Sequence, residues 1–150
     1  MPPFQTSYSD RPAAYAKGRR VNMEEWNALT GIAQSGDIGI GEPVQDGALD
    51  EQVMPFTTGT FRGITEWTPD VGEAEVFPQG ANVPVTESGV IAGSAYQNCT
   101  KRTPVYWSAT NRGYTSTAGT NTLIPNAEFD ATVSAGGLVP IRLRRIPPAA

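Results

Sequence analysis

Residues 58–67 read TGTFRGITEW and alternate in the way that a β-strand does. The odd-numbered residues from Phe61 to Thr65 would face one side of the strand, and the even-numbered residues from Arg62 to Glu66 would face the other. Neither set is wholly apolar, so the strand should have neighbours on both sides. We interpret it as a framework strand whose neighbours could belong to this chain, to copies of it or to another protein.

The composition around this strand favours an all-β protein. Among 150 residues there are 16 glycines and 13 prolines, and only 17% of the residues are charged, which indicates many turns and few solvated helices. From residue 37 onward, about eight or nine short runs of strand character are separated by turn residues. The sequence predicts a small β-barrel or a jelly-roll-like β-sandwich over residues 37–150.

Two segments precede this predicted body. Residues 1–20 show no helical or strand period and mix prolines with aromatic residues, which predicts an extended N-terminal arm that docks on a partner. Residues 21–36 carry Met23 and Trp26 at helical spacing, behind a capping box that begins at Asn22. They are predicted to form one short helix, which Trp26 would anchor to the body or to a neighbouring subunit.

The charge of the chain is unevenly placed. The formal net charge is -4, which is unlike the basic footprint of a nucleic-acid-binding protein. Residues 1–20 carry four cations against one carboxylate, whereas residues 37–100 carry ten carboxylates against Arg62 alone. The pattern predicts a basic arm in front of an acidic body. We also expect no membrane span and no secretory leader, because no apolar run of that kind occurs.

The sequence offers little chemistry for catalysis. It contains no histidine, which removes the commonest general base and metal ligand, and its single cysteine, Cys99, cannot build a thiolate zinc site. Its carboxylate clusters are more typical of solvated turns than of an acid–base pair or a calcium site. We predict that the protein is not an enzyme and has no catalytic residue, metal site or cofactor.

With its strands laid out, the chain resembles the structural cement, or head decoration, proteins of tailed bacteriophages. The resemblance covers nearly the whole chain and rests on the order of its segments more than on any one motif. In chain order these segments are FQTSY, RPAAYAKG, IGIGEPVQDG, FTTGTFRGIT, SGVIAG, TPVYWSATNRG, TNTLIPNAEFDATVSAGGL and VPIRLRRI.

The resemblance implies a protein that binds the outer surface of an assembled phage head and bridges neighbouring major capsid subunits, which stabilises the shell. It implies manufacture in the host cytoplasm, final location in the virion, and association with the major capsid protein and with copies of itself, as a homodimer or homotrimer. No direct contact with nucleic acid or membrane is expected.

Aromatic and arginine side chains are favoured anchors at interfaces, which indicates candidate contact residues. The residues expected to face the capsid lie in the arm and are Phe4, Tyr8, Arg11, Tyr15, Lys17, Arg19 and Arg20. Those expected to mediate self-association lie in the predicted helix and in the opening strand and are Trp26, Phe61, Arg62 and Glu66.

Two other functions fit the same composition. One is a carbohydrate-binding β-sandwich on the virion, with Trp67, Trp107 or Tyr114 stacking on sugars, although core or interface packing is the more typical use of such tryptophans. The other is a tail or baseplate adaptor, which would differ from a head protein in its copy number per virion.

Overall fold

The computed structural model describes residues 16–145, apart from the side chains at positions 70, 72 and 73. This part of the chain is built from eleven strands, and a 3-10 helix at Pro69–Ala74 lies between the fifth and the sixth. The strands are β1 (Asn27–Ala33), β2 (Ile38–Gly39), β3 (Pro43–Asp46), β4 (Gln52–Pro55), β5 (Phe61–Thr65), β6 (Val76–Phe77), β7 (Asn82–Ser94), β8 (Pro104–Ser108), β9 (Gly113–Thr115), β10 (Thr122–Phe129) and β11 (Leu138–Leu143).

Strand pairing arranges the main sheet as two rings that share β7. In the first ring the order is β1, β4, β3, β5 and β7, and β7 also pairs with β1, which closes a small β-barrel. The second ring continues from β7 through β11, β10 and β8 to β9. A bridge between Ala95 and Tyr114 brings β9 back beside the end of β7. The predicted all-β fold is confirmed.

Two hydrophobic clusters form the core, and the cluster of the second ring also includes Ile64 from β5. The core of the first ring contains the fully buried Val44 and Val83. The core of the second contains the fully buried Ile91, Phe129 and Ile141. Since β7 contributes to both cores, the two rings are held to each other by a continuous strand as well as by side-chain packing.

The long strand β7 supports both rings. Its first half pairs with β1, where Leu29 lies opposite Val85, and its second half pairs with β11, where Ile141 lies opposite Ile91. Gly89, between the halves, has a φ of 119°, a conformation that glycine adopts most readily. The sequence predicts two short strands here, and this prediction is wrong because one strand runs through the glycine.

The helix predicted over residues 21–36 is also wrong. β1 occupies Asn27–Ala33, where six residues pair antiparallel with β7 and the last two residues pair parallel with β4. Gly31 suits this position, because a Cβ there would lie only 2.8 Å from Val53 Cγ1. Helical spacing is a local signal, and the pairing of this segment with two strands outweighs it.

Two further predictions about strands need correction. The sequence predicts that β4 and β5 pair through the turn at residues 57–59, but they do not, because β3 lies between them. The sequence also predicts a polar loop over residues 111–122, but this segment contains β9, whose Tyr114 is fully buried. The Tyr114 hydroxyl donates a hydrogen bond to the Gly41 carbonyl oxygen at 2.8 Å, and this partner allows a polar atom to lie inside the protein.

The stretch TGTFRGITEW forms β5 and the residues that flank it. β5 pairs with β3 on one edge and with β7 on the other, so its neighbours belong to this chain. The register with β3 shifts between Phe61 and Gly63, which leaves Arg62 as a β-bulge. Because of this bulge, side chains do not alternate strictly between the two faces of β5. Phe61 and Ile64, predicted to lie on opposite faces, contact the same core cluster.

The thiol of Cys99 is predicted to be unreactive while the protein is folded. Cys99 is fully buried, and burial raises the pKa of its thiol to about 11. The reactive thiolate is therefore scarce near neutral pH. A disulfide reagent added at pH 7.5 should label no thiol in native protein and one thiol per chain in denaturant. Rapid labelling of the native protein would contradict this burial.

Candidate functional site at the root of the N-terminal arm

The last residues of the predicted arm are fixed to the body by backbone hydrogen bonds. The Gly18 N–H donates to the Ala92 carbonyl oxygen at 2.8 Å, and the Ala92 N–H donates to the Arg19 carbonyl oxygen at 2.8 Å. The Val21 N–H donates to the Val90 carbonyl oxygen at 3.1 Å. Residues 16–21, which we call the arm root, therefore lie along the second half of β7.

Gly18 allows the arm root to approach the body closely. Its φ is 79°, and a Cβ on it would lie 2.3 Å from Ile40 Cγ2 and 2.9 Å from the Trp67 nitrogen. The Trp67 N–H donates to the Gly18 carbonyl oxygen at 2.9 Å. The backbone of the arm root is thus held between β7 and the residue pair that follows β5.

The arm root carries three cationic side chains, and each has a different partner. The Lys17 ammonium lies 3.3 Å from Glu75 Oε2, and Arg20 Nε lies 3.2 Å from Glu66 Oε1. The Arg19 guanidinium carbon lies 3.8 Å from the centre of the Trp67 ring. No carboxylate described in the structure forms an ion pair with Arg19. Among the described residues, Arg19 is therefore the exposed cation of the arm root that has no carboxylate partner.

Glu66 organises the half of the surface around Arg20. Its Oε1 accepts hydrogen bonds from Trp26 Nε1 at 2.9 Å, from Thr86 Oγ1 at 2.8 Å and from Arg20 Nε at 3.2 Å. The Arg20 guanidinium also stacks on the Trp26 ring, with its carbon 3.0 Å from the ring centre. Glu66 is only 13% exposed, so its charge is largely used within the protein.

A shallow groove of about 520 Å³ lies beside these residues. Its lining residues come from the arm root and from the chain just after β5, and they are Gly18, Arg19, Arg20, Glu66 and Trp67. The groove thus combines two guanidinium groups with an aromatic ring, which is a composition suited to binding another protein.

The residues predicted to contact the capsid or a second copy of the chain lie in different places. Phe4, Tyr8, Arg11 and Tyr15 lie outside the described residues. Lys17, Arg19 and Arg20, predicted to face the capsid, lie on the arm root. Trp26 and Glu66, predicted for self-association, contact Arg20 in the same cluster, so the structure brings the two predicted groups together.

Trp67 was considered only as a sugar platform or packing residue, and no spacing in the sequence indicates its position under Arg19.

The other two candidates for self-association lie elsewhere. Phe61 is half-buried and packs edge-on against Phe56, with ring centres 5.4 Å apart. Arg62 Nε lies 3.4 Å from Asp46 Oδ1, and Arg62 Nη2 lies 3.8 Å from Glu87 Oε1. These residues form a second polar surface, separate from the arm root.

The structure does not favour the sugar platform. Trp107 is 5% exposed and Tyr114 is fully buried, so neither ring offers a face to solvent. Trp67 is 37% exposed, but the Arg19 guanidinium covers one face of its ring. The use of Trp107 as a packing residue is confirmed.

Metal ligands and membrane-spanning helices were considered for the described residues. Among residues 16–145, leaving aside the side chains at positions 70, 72 and 73, no group of three or more histidine, cysteine, aspartate or glutamate side chains is placed to hold a metal ion. Within the same range, no helix is long and apolar enough to cross a membrane.

The fold and this surface define an all-β structural protein with an anchored, cationic arm root. The same fold occurs in a chain of a solved structure titled "The capsid of Myoviridae Phage XM1", with a TM-score of 0.72 and 18% sequence identity over 95% of this chain and 98% of that chain. The family described as "Structural cement protein (E217 gp24/Pam3 gp6)" matches residues 4–144. The chain belongs to this family. No curated protein matches it. Family membership gives the chain a capsid-associated structural role.

Proposed function

We propose that this protein decorates the outer surface of an assembled phage head, where it bridges neighbouring major capsid subunits and stabilises the shell. The observation that carries the proposal is its membership of the structural cement protein family over residues 4–144. The anchored arm root supports it, because a fixed root sets where an arm that precedes it can reach. The proposed role is one of binding and not of catalysis.

The mechanism would be stabilisation by mass action. A ligand that binds the assembled shell, but not the free subunits, lowers the free energy of the shell in proportion to the logarithm of its concentration over the Kd. If one copy contacts two subunits, or if copies are joined, the second contact forms at high effective concentration. Weak individual contacts can then hold the shell firmly.

We also propose that copies associate through the body, as a homodimer or a homotrimer. The surface around Arg62 supports this, because Arg62, Arg144 and Arg145 line an open groove of about 430 Å³ together with the carboxylate of Glu87. Arginine and carboxylate groups at one surface allow copies to exchange ion pairs across a symmetric contact. Trp26 and Glu66, by contrast, are engaged at the arm root.

A sedimentation experiment tests the proposed function. Purified full-length protein and a variant lacking residues 1–15 are mixed with undecorated, expanded capsids, and the copies bound per shell are counted. We expect the full-length protein to bind at a fixed number of copies per shell. The shortened variant, which keeps the arm root, should bind at least about tenfold more weakly, since it loses aromatic anchors of the kind that dominate interfaces.

The outcomes separate the function from the role of the arm. Failure of the full-length protein to sediment with capsids would overturn the decoration function. Equal binding by both proteins would leave the function standing and would overturn the assignment of Phe4, Tyr8, Arg11 and Tyr15. Circular dichroism melting of both proteins is the control for folding, and sedimentation of the free protein gives the number of copies that associate.

A further inference from the structure

We propose that Arg19, held on the ring of Trp67, is the receptor for a carboxylate on an acidic segment of the major capsid protein. This inference rests on the proposed function and names the chemistry of the partner that the arm root binds.

The guanidinium of Arg19 is held in place before any partner binds. The Arg19 N–H donates to the Ala16 carbonyl oxygen at 3.1 Å, and the Arg19 carbonyl oxygen accepts from Ala92 at 2.8 Å. The side chain then lies on the Trp67 ring at 3.8 Å. Both backbone and side chain are thus restrained, so binding an anion costs less conformational entropy than it would for a free arginine.

No described carboxylate compensates the charge of Arg19. Glu66 accepts three hydrogen bonds from Trp26, Thr86 and Arg20, and Glu75 pairs with Lys17. These two carboxylates have other partners, and no other described carboxylate ion-pairs with Arg19. A planar guanidinium with free donors binds a carboxylate through two parallel hydrogen bonds.

The same charges favour a protein carboxylate over a nucleic acid. Binding to a phosphate backbone neutralises several charges at once, whereas only one described cation of the arm root lacks a carboxylate partner. Glu75, which is 55% exposed, adds a negative charge beside Lys17. A short acidic segment presents one or two carboxylates and an apolar part that can contact the exposed part of Trp67. The groove therefore fits an acidic peptide segment.

A second copy of this chain is the rival source of the carboxylate. Asp50 and Glu51, in the turn between β3 and β4, are exposed and form no ion pair among the described residues. Gly41, which precedes β3, lies beside the arm root, and Asp46 ends β3 next to that turn. The turn and the arm root therefore lie at opposite ends of β3, so only another copy could bring them together. The capsid protein is favoured because membership of the structural cement protein family gives the chain a capsid-associated role.

The test uses three full-length variants in the capsid sedimentation experiment. Arg19→Gln removes the charge, Arg19→Lys keeps the charge but loses the planar pair of donors, and Arg102→Gln removes an exposed arginine elsewhere. We expect Arg19→Gln to weaken capsid binding about tenfold or more, Arg19→Lys to weaken it less, and Arg102→Gln to leave it unchanged. Added salt should weaken wild-type binding more steeply than binding of Arg19→Gln.

Each result decides between the explanations. Wild-type binding with equal binding by Arg19→Gln would overturn this inference and leave the proposed function intact, whereas absence of wild-type binding would overturn the proposed function itself. If Arg19→Gln dissociates the free protein into monomers and capsid binding per chain is unchanged, the carboxylate comes from a second copy and the inference is wrong. Unchanged thermal melting of the variants excludes misfolding as a cause of weaker binding.

Discussion

Gly63→Ala is expected to destabilise the protein by more than about 4 kcal/mol, which is enough to unfold many domains of this size. A Cβ on Gly63 would lie 2.2 Å from the Thr86 carbonyl oxygen and 2.7 Å from Val85 Cγ1. The first of these atoms belongs to the backbone of β7, so it cannot move aside by a rotamer change. Accommodating the methyl group would separate β5 from β7, which share the closed barrel.

Denaturant unfolding of Gly63→Ala and of a matched variant, Gly36→Ala, measures this effect. A Cβ on Gly36 would have its nearest neighbour at 3.7 Å, an ordinary contact, so Gly36→Ala should change the free energy of unfolding by less than about 0.5 kcal/mol. Similar stability of the two variants would show that β5 and β7 are not packed as closely as described. Loss of stability in Gly63→Ala alone would establish the close approach.

The identity of β5 could be predicted from the sequence, whereas its surroundings could not. Alternation and turn residues on either side are properties of one segment, and they correctly indicate a strand. The bulge at Arg62 depends on β3, and the need for glycine at position 63 depends on β7. A sequence pattern contains no information on which backbone approaches another across the barrel.

β1 shows the opposite case, in which a local pattern indicates the wrong structure. Residues 22–36 offer a cap, an apolar stripe at helical spacing and a glycine beyond the end, all of which favour a helix. Pairing with β7 and β4 instead makes Asn27–Ala33 a strand, because a short helix with Gly31 in it is intrinsically weak. Only the three-dimensional partners decide between the two.

Only part of the candidate site could be predicted from the sequence, for a similar reason. The excess of cations before residue 21 indicates a binding surface, and Lys17, Arg19 and Arg20 are visible in it. The contact between Arg19 and Trp67 joins residues far apart in the chain, and the arm root is anchored by backbone groups that every residue has. The resemblance to a known family supplied the partner, which no spacing of residues could supply.

Loss of the Arg112 side chain is expected to be the second most damaging change, because it leaves a buried carboxylate without its cation. Arg112 Nε donates to Glu42 Oε1 at 2.8 Å, and Arg112 Nη2 donates to Glu42 Oε2 at 2.8 Å. Glu42 is 8% exposed. These hydrogen bonds join the turn between β8 and β9 to the start of β3, and so hold the second ring against the first.

Arg112→Gln should lower the free energy of unfolding by about 2–3 kcal/mol, less than for a fully buried pair because the arginine is partly exposed. The hydrogen bonds to Glu42 are the main cause that raises the pKa of Arg112 above its ordinary value. Because the pKa of Arg112 is higher in the folded protein than in the unfolded chain, the stabilisation that its charge provides is fully present below the unfolded-state pKa. This stabilisation is lost as pH rises through the folded-state pKa. The effect should therefore be constant through the neutral range.

A double-mutant cycle with Glu42→Gln separates the pair from the packing of Arg112. If the loss comes from an uncompensated Glu42 carboxylate, Arg112→Gln will cost less in the Glu42→Gln background than in the wild type, by about 1–2 kcal/mol. Gly39 donates its N–H to Glu42 Oε2 at 3.2 Å, and a glutamine oxygen can still accept this bond. Equal costs in both backgrounds would mean that the ion pair contributes nothing to stability, and that other contacts, among them β7 and the hydrogen bond from Tyr114 to Gly41, hold the two rings together.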